Sequence, residues 1–404
     1  MTATSPGLPV YVDSSMLSTW RACRRKFFWS TVNALYPTGR SVHLIAGAAF
    51  AAGMEAARRC AFTSSSDTSI EQLLEAAFPV FVREWGDYDA PEGSAKTFVN
   101  TFSALGDYLE KYHPLRDSVQ PHIKKDGSPA VEFTFAIPLD DPEYPRHPSG
   151  DCFIFVGRFD MLGYFGPERL PVILDEKTTS SIGFAWEDQW SLRGQFIGYV
   201  WALQQLGFDI QHACVRGIAI NKTQYKTATA LPMYPHHTVE NWRVQLVRDL
   251  HDITTTYNAW TSRRVRQVSE GRRQTLLEGP WDMNLADACS SYGGCAFTTL
   301  CSAKRAEPFF TNYVLHRWDP LSRNPVIELH PTARPVGEEP LSEQSGMGEE
   351  RSDRSSDPPT PPEAALAQEA GTSLDGDDKC KTCDPAPLAS SLEPQPSALE
   401  LHPQ

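Results

Sequence analysis

Two apolar runs only six residues apart constrain this chain more than any other feature. Cys152–Tyr164 and Pro171–Glu176 are rich in Phe, Ile, Val and Leu, as strands are. Gly166-Pro167 lies between them and marks a turn. A connection this short holds no crossover helix, so the second run must return antiparallel beside the first.

The rest of the pattern surrounds that hairpin. Ala130–Leu139 and Ala213–Asn221 read as further strands. Apolar spacing predicts a helix that Ser14 or Ser15 caps and that runs through Met16, Leu17, Trp20, Phe27 and Phe28. A small-residue helix is expected over Leu44–Cys60, with His43 before it, and amphipathic helices near Ile70–Trp85 and Ala95–Tyr112. Helices over Glu187–Leu206 and Val239–Thr261 follow the hairpin, the latter leading into Arg263, Arg264, Arg266, Arg272 and Arg273. Helices, then strands, then helix and strand again predict an α/β fold: a mixed central sheet flanked by helices, with a helical insert before the sheet.

Charge separates the body from the end of the chain. The sequence has 404 residues with 50 Asp+Glu against 37 Lys+Arg, a net charge of −13. Residues 331–404 hold 15 of the acidic and 5 of the basic residues, 12 of the 32 prolines and no aromatic residue. Such a segment cannot bury enough apolar surface to offset its ordering entropy. It is expected to be disordered, which sets the boundaries at 1–325 for the body and 326–404 for an acidic Pro-rich tail. The remaining 330 residues carry 35 acidic and 32 basic residues, a net of −3, so bulk charge does not exclude a polyanionic partner. No run reaches the roughly 18–20 apolar residues of a membrane helix. The N-terminus lacks the basic and apolar regions of a signal peptide, so a reducing cytoplasmic setting is expected. There, spaced cysteines point to metal or catalysis before disulfides.

The hairpin carries the chemistry. Gly157-Arg158-Phe159-Asp160 is followed, after fourteen residues, by Asp175-Glu176-Lys177. Asp160 is expected at the end of one strand and Asp175 on the next, so the return brings the two carboxylates together. Adjacent carboxylates raise each other's pKa unless a cation lies between them. Oxygen ligands suit Mg²⁺ or Mn²⁺. Lys177 projects from the same strand face as Asp175, where it can orient water and offset charge on a phosphate. Gln195 and Tyr199 form Q-x3-Y on one face of the next helix.

This combination resembles the PD-(D/E)XK nuclease superfamily, and within it the RecB-like branch, over about residues 11–305. The resemblance implies a restriction-endonuclease-like core in which Asp160, Asp175 and the backbone carbonyl of Glu176 bind Mg²⁺ and Lys177 is catalytic. Gln195 and Tyr199 would then support the site and touch the nucleic-acid strand, and Glu132 falls where the branch often has an acidic residue. The branch usually carries a histidine four residues after a glycine in the early helix. Here Gly47 is followed at that spacing by Ala51. Glu55, one helical turn further, could supply the missing oxygen ligand.

Cys289, Cys295 and Cys301 form C-x5-C-x5-C, and Cys23 lies in WRACRRKFFW. Clustered thiolates in a reducing compartment favour zinc or an iron–sulfur cluster. In iron–sulfur members of the RecB-like branch, such as the AddB nuclease and CRISPR-associated adaptation nucleases, one N-terminal and three C-terminal cysteines hold a [4Fe-4S] cluster. The resemblance implies that role for Cys23, Cys289, Cys295 and Cys301, with zinc as the competing ligand. Cys60, Cys152 and Cys214 read as ordinary buried cysteines, and Cys380-x2-Cys383 stands apart in the tail.

The expected activity is a metal-dependent exonuclease acting on DNA ends or single strands, in recombination, repair or phage DNA metabolism, with a phage- or prophage-encoded origin among the possibilities. The rivals are a catalytically degenerate nuclease fold that binds DNA as a scaffold, and a zinc-stapled RNA-processing enzyme. Arg21, Arg24, Arg25 and Lys26, Arg58-Arg59 and the arginines of 263–273 are candidates for a phosphate track. The chain has no P-loop, so any helicase or recombination motor would be a separate partner.

Overall fold

Alternating bulky residues in Val131–Leu139 (β4), Phe153–Phe165 (β5) and Leu170–Thr179 (β6) bury both faces of a central sheet. The computed structural model describes residues 7–320, apart from 40, 65–66, 270–278, 287, 291–293 and 304–305, together with 328–329. Apart from 328–329, the predicted tail lies outside the described residues, as do Cys380 and Cys383, Arg272 and Arg273, and the side chain of Arg266.

In chain order the elements begin with β1 (Tyr11–Val12), α1 (Ser14–Ala22), α2 (Arg24–Phe27), a π-helical turn at Phe28–Val32 and β2 (Leu35–Pro37). Then come α3 (Val42–Thr63), α4 (Ile70–Trp85), α5 (Phe98–Lys111) and β3 (Val119–Pro121), followed by β4, β5 and β6. The chain continues through α6 (Gly194–Gln205), β7 (His212–Ile220), β8 (Tyr225–Ala230), α7 (His236–Ser269), α8 (Thr298–Ser302), β9 (Tyr313–Leu315) and β10 (Glu328–Leu329).

The sheet has eight strands in the order β10-β4-β5-β6-β7-β8, with β1 and β3 also pairing to β5. The hairpin is antiparallel from Phe165↔Leu170 to Met161↔Leu174, as the short connection requires. β6 and β7 are parallel from Val172↔His212 to Thr179↔Ala219, and α6 makes the crossover between them. β6 therefore extends three residues past the predicted end at Glu176, because β7 gives those residues a ladder partner.

Helices cover both faces. One core joins the sheet to α1, α6, α7 and the segment after residue 280 through Trp20, Phe28, Trp201, Trp242 and Trp281. The other joins α3, α4 and α5, the predicted helical insert, to Ile218 and Ile220 of β7. Small residues let α3 pack closely: Ala46, Ala49 and Ala57 are fully buried, and a side chain at Gly53 would strike Leu105 at 2.6 Å. α4 opens with a reciprocal cap between Ser69 and Gln72.

The structure corrects several local expectations. Asp13, not Ser14 or Ser15, caps α1, its Oδ1 accepting from the Met16 N–H at 2.7 Å. The first helix does not run unbroken to Phe28, because Cys23 is extended at φ −164° and separates α1 from α2. His43 lies inside α3 rather than before it. α6 starts at Gly194 rather than Glu187: Trp186 and Trp190 are buried from two short 3₁₀ turns, which spend that segment on anchoring indoles. Asp160 sits inside the 13-residue β5 rather than at a strand end.

Candidate active site and cysteine cluster

The pleat breaks where the acidic residues stand. Val131 and Met161 pack into the small core beside Val172 and Leu174, whereas Phe133 and Phe159 pack into the large core on α6. The β4–β5 ladder pairs Val131↔Met161 and then Phe133↔Phe159, passing over Glu132 and Asp160. Glu132 takes a left-handed backbone at φ +51°, costly for a side chain larger than glycine. Both strands thus change face at these two residues, which frees their carboxyls from the regular alternation.

Asp160 reaches across the hairpin, where its Oδ2 accepts the Glu176 N–H at 2.5 Å. Asp175 is 4% exposed, and its Oδ1 meets the Lys177 ammonium. Lys177 also lies 5.8 Å over the Phe196 ring of α6. Burial, then the charges of Asp175, Glu132 and Glu176, push the Asp160 carboxyl well above its ordinary range. Burial alone would lower Lys177, but Asp175 and Asp160 outweigh it and raise the ammonium's pKa. The hairpin therefore assembles Asp160, Asp175 and Lys177 in one site, with Asp175 buried and Asp160 and Lys177 half-buried.

Glu176 points to the other face, as the two-residue period demands. Its carboxylate takes the Arg58 guanidinium of α3 at 2.6 Å, and each side chain is 4% exposed. Its Oε1 is thus committed to Arg58. Arg58 cannot belong to a surface phosphate track, because it is buried in this pair. Arg25 is also committed, its Nε donating to the Trp281 carbonyl at 2.6 Å, and Arg21 pairs with Asp249 at 2.7 Å.

Gln195 and Tyr199 form a clasp. Gln195 Nε2 donates to the Tyr199 hydroxyl at 3.0 Å, and that hydroxyl donates to the Arg158 carbonyl at 2.9 Å. Tyr199 is 6% exposed, so it anchors β5 two residues before Asp160 rather than offering a strand-contact surface. Any side chain at Gly157 would strike Phe135 and Tyr199, which explains the glycine at the head of the GRFD element.

Glu55 of α3 lies close enough to Glu132 of β4 for its charge to act there. Glu132 is 8% exposed and pairs with Arg158 Nε at 3.0 Å. Glu55 accepts from Arg59 at 2.9 Å, and its charge acts on Glu132. Gly47 of α3 lies against Thr178, and Ala51 is half-buried one turn on. Burial, opposed by Arg158 and reinforced by Glu55, raises the Glu132 carboxyl to about 7. Folding therefore binds a proton there between about pH 4.5 and about 7, so this contribution to stability is lost as pH rises through that window. In EDTA, the native protein should lose stability to urea between pH 5 and 7.5, and Glu132→Gln should flatten the slope. An identical slope in the two proteins would refute the assignment.

Sequence reasoning misplaced Arg58 on a phosphate track and missed the left-handed turn at Glu132. An arginine inside an otherwise small and apolar helix was the available signal for the first. Nothing local marks the second.

Cys23 lies near the segment that carries the other three cysteines. The Asn284 N–H donates to Cys23 Sγ at 3.5 Å, and Cys289 Sγ donates to the Asn284 carbonyl at 4.0 Å. The Cys295 N–H donates to the Cys289 carbonyl at 2.8 Å. Burial raises the Cys301 thiol, and the charges of both Cys23 and Cys295 act on it. No disulfide joins them. The Trp281 ring stacks on Phe27 and Phe28 and fastens the same two segments. Among the described residues, no three His, Cys, Asp or Glu side chains are already drawn to metal-binding spacing. No helix among the described residues is long and apolar enough to cross a membrane.

Fold and site together define an α/β protein whose mixed sheet carries a partly buried acidic–lysine centre. No protein-family model matches the chain, and no curated protein matches it.

Proposed function

We propose that this chain is a metal-dependent DNA nuclease of the PD-(D/E)XK type, hydrolysing phosphodiester bonds at DNA ends. The observation that carries the reading is the meeting of Asp160, Asp175 and Lys177 across one hairpin. The donor set fits a small hard cation: two crowded carboxyls, one with a raised pKa, and the Glu176 carbonyl. Mg²⁺ or Mn²⁺ held there would supply positive charge against a phosphodiester. Lys177 keeps its proton and adds a second positive charge at the same point. The Gln195–Tyr199 clasp fixes β5, and Arg58 keeps the Glu176 side chain out of the site.

We assign Cys23, Cys289, Cys295 and Cys301 to a [4Fe-4S] centre that staples α1–α2 to the segment after residue 280, a reading supported by the approach of Cys23 to that segment. Anaerobically purified protein should be brown with about four irons per chain. A colourless protein with one zinc would assign the thiols to zinc instead.

The activity is tested with full-length protein and linear DNA. Cleavage should appear with Mg²⁺ or Mn²⁺ and stop with EDTA. DNA retention without cutting under both ions would replace the enzyme by a non-catalytic DNA-binding protein, the alternative that Ala51 in place of histidine favours.

A further inference from the structure

Phe184 is fully exposed, yet it is not on a loose loop. Its neighbours in sequence are pinned. Ile182 is buried and its carbonyl accepts from Lys226 Nζ at 3.0 Å. Trp186 is buried with its indole against Gly217, where any side chain would strike the ring at 2.3 Å. Gly217 is the ladder partner of Lys177, so the anchor stands beside the candidate catalytic lysine. Trp190 is buried edge-on to both Trp186 and Phe196. These anchors hold two apolar side chains out into solvent, Phe184 and Leu192, the latter 80% exposed.

The adjoining residue is cationic. Arg193 forms no ion pair among the described residues, and its charge reaches Lys177. It lines a cavity of about 360 Å³ together with Leu192, Gln195 and Arg21. An unpaired guanidinium over a cavity suits a phosphate, and Leu192 on the same cavity, with Phe184 on the same anchored segment, suits the faces of unpaired bases. A duplex keeps its bases stacked on one another and offers no free faces to such a rim.

Building on the nuclease reading, we infer that the segment 182–193 is a strand-recognition rim: Phe184 and Leu192 stack on unpaired bases while Arg193 holds the backbone. The substrate at this site is therefore single-stranded DNA or a frayed end.

The test is equilibrium binding of full-length protein to a fluorescein-labelled oligothymidylate and to a blunt duplex of equal length, in Ca²⁺ to prevent cutting. The native protein should favour the single strand. Phe184→Ala should weaken that binding about tenfold, the scale of one stacked base, and raise KM for single-strand cleavage more than it lowers kcat. Phe184→Trp should restore both. Val99→Ala, which trims another exposed apolar residue, on α5, should change neither. Equal binding by Phe184→Ala, duplex preference in the native protein, or no rescue by tryptophan would overturn the inference. Phe184-dependent binding with no cutting under Mg²⁺ or Mn²⁺ would keep the rim and remove the nuclease. Cutting that is indifferent to Phe184 would do the reverse.

Discussion

Asp160→Asn and Lys177→Ala should each lower Mg²⁺-dependent DNA cleavage by at least about 10²–10³-fold, the scale seen when one preorganised charge-stabilising group is removed from an active site. Stability should separate the two variants. Asp160 is a half-buried carboxyl crowded by Asp175, Glu132 and Glu176, and its contact to the Glu176 N–H needs only an acceptor oxygen. An amide keeps that acceptor and removes one charge from the crowd. Metal-free Asp160→Asn should therefore be at least as stable as the native protein while being inactive. Lys177→Ala removes the cation from Asp175 and leaves a buried carboxylate unpaired, so it should be both inactive and destabilised. Thermal melts in EDTA, read beside cleavage rates in Mg²⁺, check the pair. Cleavage within tenfold of native in either variant would dismiss the assigned site.

Asp117→Ala should cost about 3–5 kcal/mol of folding stability. Arg216 of β7 is 1% exposed, and its guanidinium donates to Asp117 through two nitrogens, at 2.5 and 2.6 Å. It also stacks 4.2 Å from the Tyr112 ring at the end of α5. Removing Asp117 strands a buried guanidinium that cannot shed its proton. Arg216 faces Glu176 in the ladder and precedes Gly217, the partner of Lys177, so the pair locks the helical layer behind the candidate site. Replacing both partners by apolar residues, as in Asp117→Leu with Arg216→Met, should recover much of the loss, because no unpaired charge remains. Urea unfolding at neutral pH measures both. A loss under about 1 kcal/mol in Asp117→Ala would show the pair to be solvated in solution.

Much of the architecture was legible because it rests on local pattern. The six-residue connection forced the β5–β6 hairpin, and the hairpin alone brought Asp160 opposite Asp175. The period of two put Lys177 on the Asp175 face and Glu176 behind it. The helical period placed Gln195 over Tyr199. Boundaries failed where burial overrode pattern. The start of α6 was misread because two tryptophans in the 184–190 turns mimic helical spacing while they serve as anchors.

The sequence by itself determined the sheet and helix layers, the hairpin and the residues that could meet on one strand face, because these follow from side-chain period and connection length. Only the tertiary structure decided the rest. The left-handed turn at Glu132 depends on two cores pulling adjacent residues to opposite faces. The fate of each arginine depends on which distant carboxylate or carbonyl it meets: Arg58 on Glu176, Arg216 on Asp117, Arg25 on Trp281. The approach of Cys23 to the segment that carries Cys289, Cys295 and Cys301 depends on Trp281 docking against α2 and the turn after it, a contact across more than two hundred residues that no local spacing encodes.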